Sequence, residues 1–220
     1  MSGSAPGVRS CGEAALLLEW VSLPVEEASR RARWVAKRLE DRGMPGIREV
    51  VPALSSVWVE FDPDRVAEER LRRVLAELSR SARDEDAPPG PLHEVPVVFG
   101  GAGGPDLAQV AAGAGWSEAE LVRRLTGVEY RVLFLGFAPG FPYLGFSPAG
   151  LEVARMAVPR PRVPAGSVAL AGGLAGIYPR EGPGGWRIVG HTSLRLFDPT
   201  RERPSLFGPG DRVRLREAGS

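Results

Sequence analysis

A chain of 220 residues with 43% hydrophobic and 25% charged side chains has ordinary globular composition, with room for one large domain or two small ones. Its 28 basic and 27 acidic residues leave a net charge of +1, so no overall field draws it to nucleic acid or to an anionic membrane. A single lysine, Lys37, argues against a P-loop or Schiff-base site, and a single cysteine, Cys11, rules out an internal disulfide and a cysteine metal cluster.

Residues 1–11 show neither the basic start nor the apolar stretch of a signal peptide, and the longest apolar run, "AALLL", is too short to span a bilayer. A cytoplasmic location without membrane contact is expected. "AALLLEWV" (14–21) then reads as a strand. Val25, Ala28, Ala32, Val35 and Leu39 follow at spacings of three and four, a helical face that stops at Gly43. "IREVVPAL" and "SVWVEFD" read as two strands joined by a short turn. Val66, Leu71, Val74, Leu75 and Leu78 mark a second amphipathic helix opened by "DPD". With "HEVPVVF" as the next strand, the order strand, helix, strand, strand, helix, strand is that of a ferredoxin-like split βαβ unit. The charged, proline-rich "RDEDAPPGP" before it is the best linker, which places a boundary near residue 90 and gives domains 1–90 and 91–220.

Past the linker come a glycine-rich turn, "GGAGGPD", and two short helical patterns, "DLAQVAAGAG" and "SEAELVRRLTG", the second with Ser117 and Glu120 placed as a capping box. Beyond residue 128 helical periodicity ends. Residues 136–210 hold 14 Gly and 11 Pro between the β-type runs "SVALA", "AGIYP", "WRIVG", "SLRLF" and "DRVRLR", the pattern of a β-barrel or sandwich with tight corners. The fold class expected is α+β.

Within this half, "GFAPGFPYLGF" (136–146) follows the apolar run "YRVLFL". Gly and Pro fix unusual backbone angles, while Phe137, Phe141, Tyr143 and Phe146 are costly to leave in water. The stretch, Pro139 included, predicts a shaped aromatic wall that seats a small ligand or a partner's loop; the alternative is a packed barrel corner. "VVFGGAGGPDL" has the strand, turn and helix start that can hold an anion, with Gly101 and Asp106 as candidates. It matches neither GxxxxGK[ST] nor GxGxxG, and Asp106 serves equally as an N-cap, so a structural turn is favoured. The helical pair after it resembles a helix-turn-helix only in outline: Arg123 and Arg124 are offset by Glu118 and Glu120, which favours a packing hairpin and no nucleic-acid partner.

"PRPRVPAGS" (159–167) places Arg160 and Arg162 on one face of a proline-stiffened segment, suited to a carboxylate or phosphate. His93 opens a strand just after the linker, either at a domain junction or as an edge residue. His191 follows "WRIVG" in a sharp turn. A triad of Ser167, His191 and Asp198 can be written down, but no GxSxG elbow supports it. With two histidines and no paired cysteines, no metal site is expected.

The motifs "VPVVFGGAGGPDL", "YRVLFLGFAPGFPYLGF", "PRPRVPAGSVALAGG", "GIYPREGPGGWRIVGHT", "LFDP" and "PGDRVRL", in this order, resemble the family that includes a 5-oxoprolinase subunit, allophanate hydrolase subunit 1 domains and the KipI-type inhibitor of a sporulation histidine kinase. The resemblance covers essentially the whole chain. It implies an N-terminal ferredoxin-like domain and a C-terminal cyclophilin-like β-barrel domain. It also implies a subunit that is inactive alone and works with a sister subunit and a third subunit to hydrolyse 5-oxo-L-proline to L-glutamate. The reaction consumes ATP, held by the complex or by this chain. Other members imply two alternatives: a subunit of an allophanate- or urea-type amidohydrolase, and a regulator that binds a histidine kinase. Matched residue by residue, Gly100, Gly101, Gly104, Pro105 and Asp106 fit the family's turn, with Ala102-Gly103 replacing Glu-Phe. Gly136, Phe137 and Pro139 through Leu144 fit as well, and Phe146 stands where a glycine is common. Leu174-Ala175 replace a Gln-Thr pair, and His191 and Ser193 depart from "GRTP". These changes bear on the substrate more than on the fold.

Overall fold

Strands β2 (Ala15–Glu19) and β4 (Ser56–Phe61) bury alternate side chains, Leu16 and Leu18 in one and Val57, Val59 and Phe61 in the other. In the computed structural model they form the centre of an antiparallel sheet of order β1-β2-β4-β3, with β1 (Gly7–Ser10) and β3 (Ile47–Pro52) at its edges. Helices α1 (Val25–Asp41) and α2 (Glu68–Ser81) lay Ala28, Ala32, Val35, Leu39, Leu71, Leu75 and Leu78 into the same core. Helix α2 starts at Glu68 and not at "DPD", because the Arg65 and Val66 N–H groups donate to the Asp62 carbonyl and close a separate turn. The structure describes residues 6–82, 90–145 and 147–219, so 83–89 of the expected linker and Phe146 lie outside the described residues. The chain divides into two compact units, Met1–Pro88 and Pro89–Ser220.

The strand after α2 does not return to the first sheet, which corrects the split βαβ reading. β1 supplies the fourth strand, and "HEVPVVF", β5 (Leu92–Phe99), enters a barrel in the second unit. β1 leaves most of its side chains in water and so carries no periodic signal, while alternation in β5 marks a strand without saying which sheet it joins.

The barrel closes through β5, β6 (Glu129–Leu135), β7 (Pro142–Gly145), β9 (Ser167–Ala171), β10 (Leu174–Ile177), β12 (Arg187–His191) and β13 (Arg212–Glu217), in the order β10-β7-β6-β13-β5-β12-β9. Strands β5 and β13 run parallel from Leu92↔Arg212 to Val97↔Glu217. Of the two sequence-based options, barrel and sandwich, the closed barrel is found. Val95, Val97, Val168, Leu170, Val213 and Leu215 fill it, and α3 (Leu107–Gly113) and α4 (Glu118–Gly127) pack Leu107, Val110, Leu121 and Leu125 against the same core. Ser117 Oγ accepts the Glu120 N–H, but the Glu120 carboxylate is taken by Arg123 and Arg124, so half of the capping box forms. "SLRLF" forms no strand beyond one bridge, Phe197 to Ser205; Asp198 turns the chain by accepting from Thr200, and Pro199 and Pro204 offer no N–H. A two-stranded ribbon, β8 (Arg160–Val163) with β11 (Gly182–Gly184), lies outside the barrel ladder. No helix among the described residues is long and apolar enough to cross a membrane.

Tyr130 on β6 is fully buried, and its hydroxyl donates to the Leu125 carbonyl at 3.2 Å. Burial pushes the phenol well above its ordinary pKa. The folded value is raised, so the stability it confers is complete below the unfolded value of about 10 and declines as pH climbs past it, by up to about 1.4 kcal/mol per pH unit. Urea unfolding between pH 8 and 11 is expected to show a shallower alkaline loss in Tyr130→Phe than in the wild type. Parallel pH profiles would refute this role.

Candidate functional site

The hairpin from β6 to β7 is built by local hydrogen bonds. The Gly136 N–H donates to the Phe141 carbonyl at 3.2 Å, the Phe141 N–H to Ala138 at 2.9 Å and the Ala138 N–H to Gly136 at 2.7 Å. The last bond closes a three-residue turn around Phe137, whose φ of 67° makes it the strained form of the γ-turn. Phe137 is the only non-glycine residue with positive φ among the described residues, and its ring is 63% exposed. Such a backbone costs about 1–3 kcal/mol and persists only where its surroundings enforce it.

Beneath Phe137 lies a packed set of rings. Phe141, 2% exposed, meets Phe137, Tyr143, Tyr178 and Trp186 edge-on at centroid distances of 5.4, 5.1, 5.3 and 5.7 Å. Tyr143 also stacks on Phe134 at 4.2 Å, and Phe137 reaches Tyr178 at 6.1 Å. Gly176 on β10 makes room for this packing, because a Cβ there would come within 2.7 Å of Phe141 Cζ. A cleft of about 140 Å³ opens beside the cluster between Phe137, Tyr178, Arg180 and Pro183. Burial raises the pKa of both Tyr143 and Tyr178, so both hydroxyls are neutral donors at physiological pH; the positive charge of Arg155 acts on both in the opposite sense.

The glycine turn sits beside the start of β12. Gly100 N–H donates to the Val189 carbonyl and Asp106 N–H to Ile188, and Gly104 approaches so closely that a Cβ would lie 2.3 Å from the Val189 oxygen. Asp106 makes no cap on α3. Its buried carboxylate instead accepts both Arg160 guanidinium nitrogens, at 2.9 and 2.8 Å, and the Ile188 N–H at 2.7 Å. Gly101 is exposed on the same turn, and Gly103 packs over His191. The ring of His191 is held by the Ala165 carbonyl, 2.9 Å from Nε2, and Asp198 is bound to Thr200, Arg195 and Arg201, so the described residues assemble no Ser167–His191–Asp198 triad.

Of the residues singled out from the sequence, Phe137, Pro139, Phe141 and Tyr143 share the aromatic corner, and Gly101, Asp106, Arg160 and His191 share the glycine-turn corner. His93 belongs to neither. Its Nε2 lies 2.9 Å from Asp211 Oδ2, with the ring edge-on to Phe207, and it reads as a structural clasp between β5 and the loop before β13. Arg162 pairs with Glu181 across the β8–β11 ribbon. The two arginines expected to meet an external anion are thus both matched to carboxylates of this chain. Tyr178, Trp186 and Arg155 were missed; the first two lie in runs read only as strands, and Arg155 carries no local pattern. Of the altered positions, Ala175 faces the barrel core and Leu174 packs on the aromatic cluster.

Comparison with known proteins places this geometry in context. Residues 6–207 match the family described as carboxyltransferase domain, subdomain C and D. The chain is 47% identical over 206 residues to a protein of Escherichia coli O157:H7 named as a 5-oxoprolinase subunit, covering 93% of this chain and 92% of that one. The crystal structure of TTHA0988 is similar with a TM-score of 0.79 and 38% identity over 97% of this chain, but the match spans only 40% of that longer chain. The Kluyveromyces lactis urea carboxylase shares the fold, with a TM-score of 0.75 at 20% identity over 97% of this chain and 22% of that one.

Proposed function

Since the chain belongs to the family of the carboxyltransferase domain, subdomain C and D, and within it to the lineage of this 5-oxoprolinase subunit, we propose that it is a subunit of an ATP-dependent 5-oxoprolinase, inactive alone. The observation that carries the reading is the end-to-end match to a protein of that name at 47% identity. The geometry is compatible with it: a flat five-membered lactam suits a cleft walled by aromatic faces, and the exposed, strained Phe137 is suited to being covered by a second polypeptide. Opening the lactam ring breaks its C–N bond with water and yields an acyclic amino acid, at the cost of ATP. The sister subunit and a third subunit supply the groups that do this.

The glycine turn does not fit a triphosphate. The Gly100 and Gly104 N–H groups are consumed within the chain, the Asp106 carboxylate stands beside them, and Lys37 is paired with Asp41 on α1. The misfit supports placing ATP on the other subunits in this proposal. The test is ATP hydrolysis dependent on 5-oxo-L-proline, measured with this chain alone and then with both other subunits. Turnover is expected only in the full mixture. A stable three-part complex that hydrolyses no ATP on adding 5-oxo-L-proline would overturn the assignment.

A further inference from the structure

The arginines around the aromatic cluster differ in whether the chain itself neutralises them. Arg160 is held by Asp106 and Arg162 by Glu181, while Arg187 donates to the Gln109 side-chain carbonyl at 3.0 Å. Arg155 has no carboxylate within ion-pair distance among the described residues. Its guanidinium lies 5.9 Å from the centre of the Trp186 ring, and its charge acts on the hydroxyls of Tyr143 and Tyr178. The backbone on either side of it is held, since the Val153 carbonyl accepts from the Gly172 N–H at 2.8 Å and the Met156 N–H donates to Gly185 at 2.8 Å, while the Arg155 side chain itself is exposed. The Tyr143 hydroxyl, next to it in the cluster, makes no hydrogen bond among the described residues. Arg180, which lines the cleft, has no carboxylate within ion-pair distance among the described residues and stacks on none of the rings.

An exposed guanidinium without a carboxylate partner, beside a phenol without a hydrogen bond and over an indole ring, is suited to receive an anion. We propose that Arg155 is the counter-ion for the carboxylate of a small planar acid whose body lies against Tyr143, with Tyr143 Oη donating a second hydrogen bond. One cation and one neutral donor match a monoanionic carboxylate; a dianionic phosphate calls for more donors than the site offers. The inference rests on the reading above, since 5-oxo-L-proline is such an acid, and it explains how a lactam acid is told from a simple lactam.

The full chain is titrated calorimetrically with L-5-oxoproline, with 2-pyrrolidinone, which lacks the carboxylate, and with inorganic phosphate. The acid is expected to bind tightest. Arg155→Met should weaken the acid by roughly 10- to 100-fold while leaving 2-pyrrolidinone unchanged, and Arg155→Lys should recover part of the difference. In the assembled complex the same loss should fall on KM more than on kcat. Absence of acid binding, equal affinity for acid and lactam, tighter binding of phosphate, or a preference abolished by Arg180→Met and not by Arg155→Met would each overturn the proposal. Acid binding that depends on Arg155 in a chain whose complex shows no 5-oxoproline turnover would sink the proposed function and leave this site standing. Turnover with a KM indifferent to Arg155→Met would do the reverse.

Discussion

Phe141→Ala is expected to cost the second unit about 3–5 kcal/mol, the range for deleting a fully buried aromatic ring. The ring touches four others, and the surrounding strands cannot collapse into the space: Gly176 on β10 is already in contact with it, and Trp186 and Tyr178 are held at its other edges. Denaturant unfolding of wild type and variant measures this directly, and a loss below about 1 kcal/mol would mean that the cluster repacks. A loss of activity in Phe141→Ala would therefore say little about function. Phe137 separates the two roles. Its ring is exposed and its backbone strained, so Phe137→Gly should leave stability unchanged or raise it by about 1 kcal/mol through relief of the positive φ. The same variant should lower the 5-oxoproline-dependent ATP hydrolysis of the assembled complex about tenfold or more, a loss of about 1.4 kcal/mol of transition-state stabilisation. Full activity in a stable Phe137→Gly would reduce the turn to a barrel corner.

This pair of residues also shows what a linear reading reaches and where it stops. The density of Gly, Pro and aromatics in 136–146 announces a built corner, because each type has a local cost that some structure must offset. Which ring is buried and which exposed depends on Tyr178 and Trp186, more than 30 residues onward, and nothing local records that encounter. The first sheet shows the same division: amphipathic α1 and α2 and alternating β2 and β4 are legible one by one, but the choice of β1 over β5 as the fourth strand is a matter of pairing. Charge was the least legible of all. Arg160 and Arg162 stand out in "PRPRVP", yet Asp106 and Glu181 meet them from distant segments, and Arg155, which has no carboxylate partner among the described residues, lies on an irregular segment without a motif.

The Asp106–Arg160 pair carries the second large expectation. The Asp106 side chain is 7% exposed and accepts three hydrogen bonds, so Asp106→Ala strands a guanidinium and the Ile188 N–H together. Removing one partner of a buried pair costs about 3–5 kcal/mol, and because Arg160 retains 26% exposure and can rehydrate, the value expected is near the lower end, about 3 kcal/mol. Arg160→Met alone should also destabilise, since it leaves the carboxylate buried without its cation. The double variant Asp106→Ala/Arg160→Met should recover at least half of the summed loss, because it abandons both desolvated charges at once. Additive losses would show that the two side chains act independently and that the ion pair is incidental. The consequence extends to the aromatic cluster. Arg160 Nη1 also lies 2.8 Å from the Met156 sulfur, so the pair steadies the residue that follows Arg155. Asp106→Ala should therefore blunt the preference for 5-oxoproline over 2-pyrrolidinone even in conditions where the chain remains folded, although Asp106 lies outside the proposed site and its carboxylate is bonded to Arg160 and Ile188. An unaltered preference in a folded Asp106→Ala would confine the pair to holding β8 against β12.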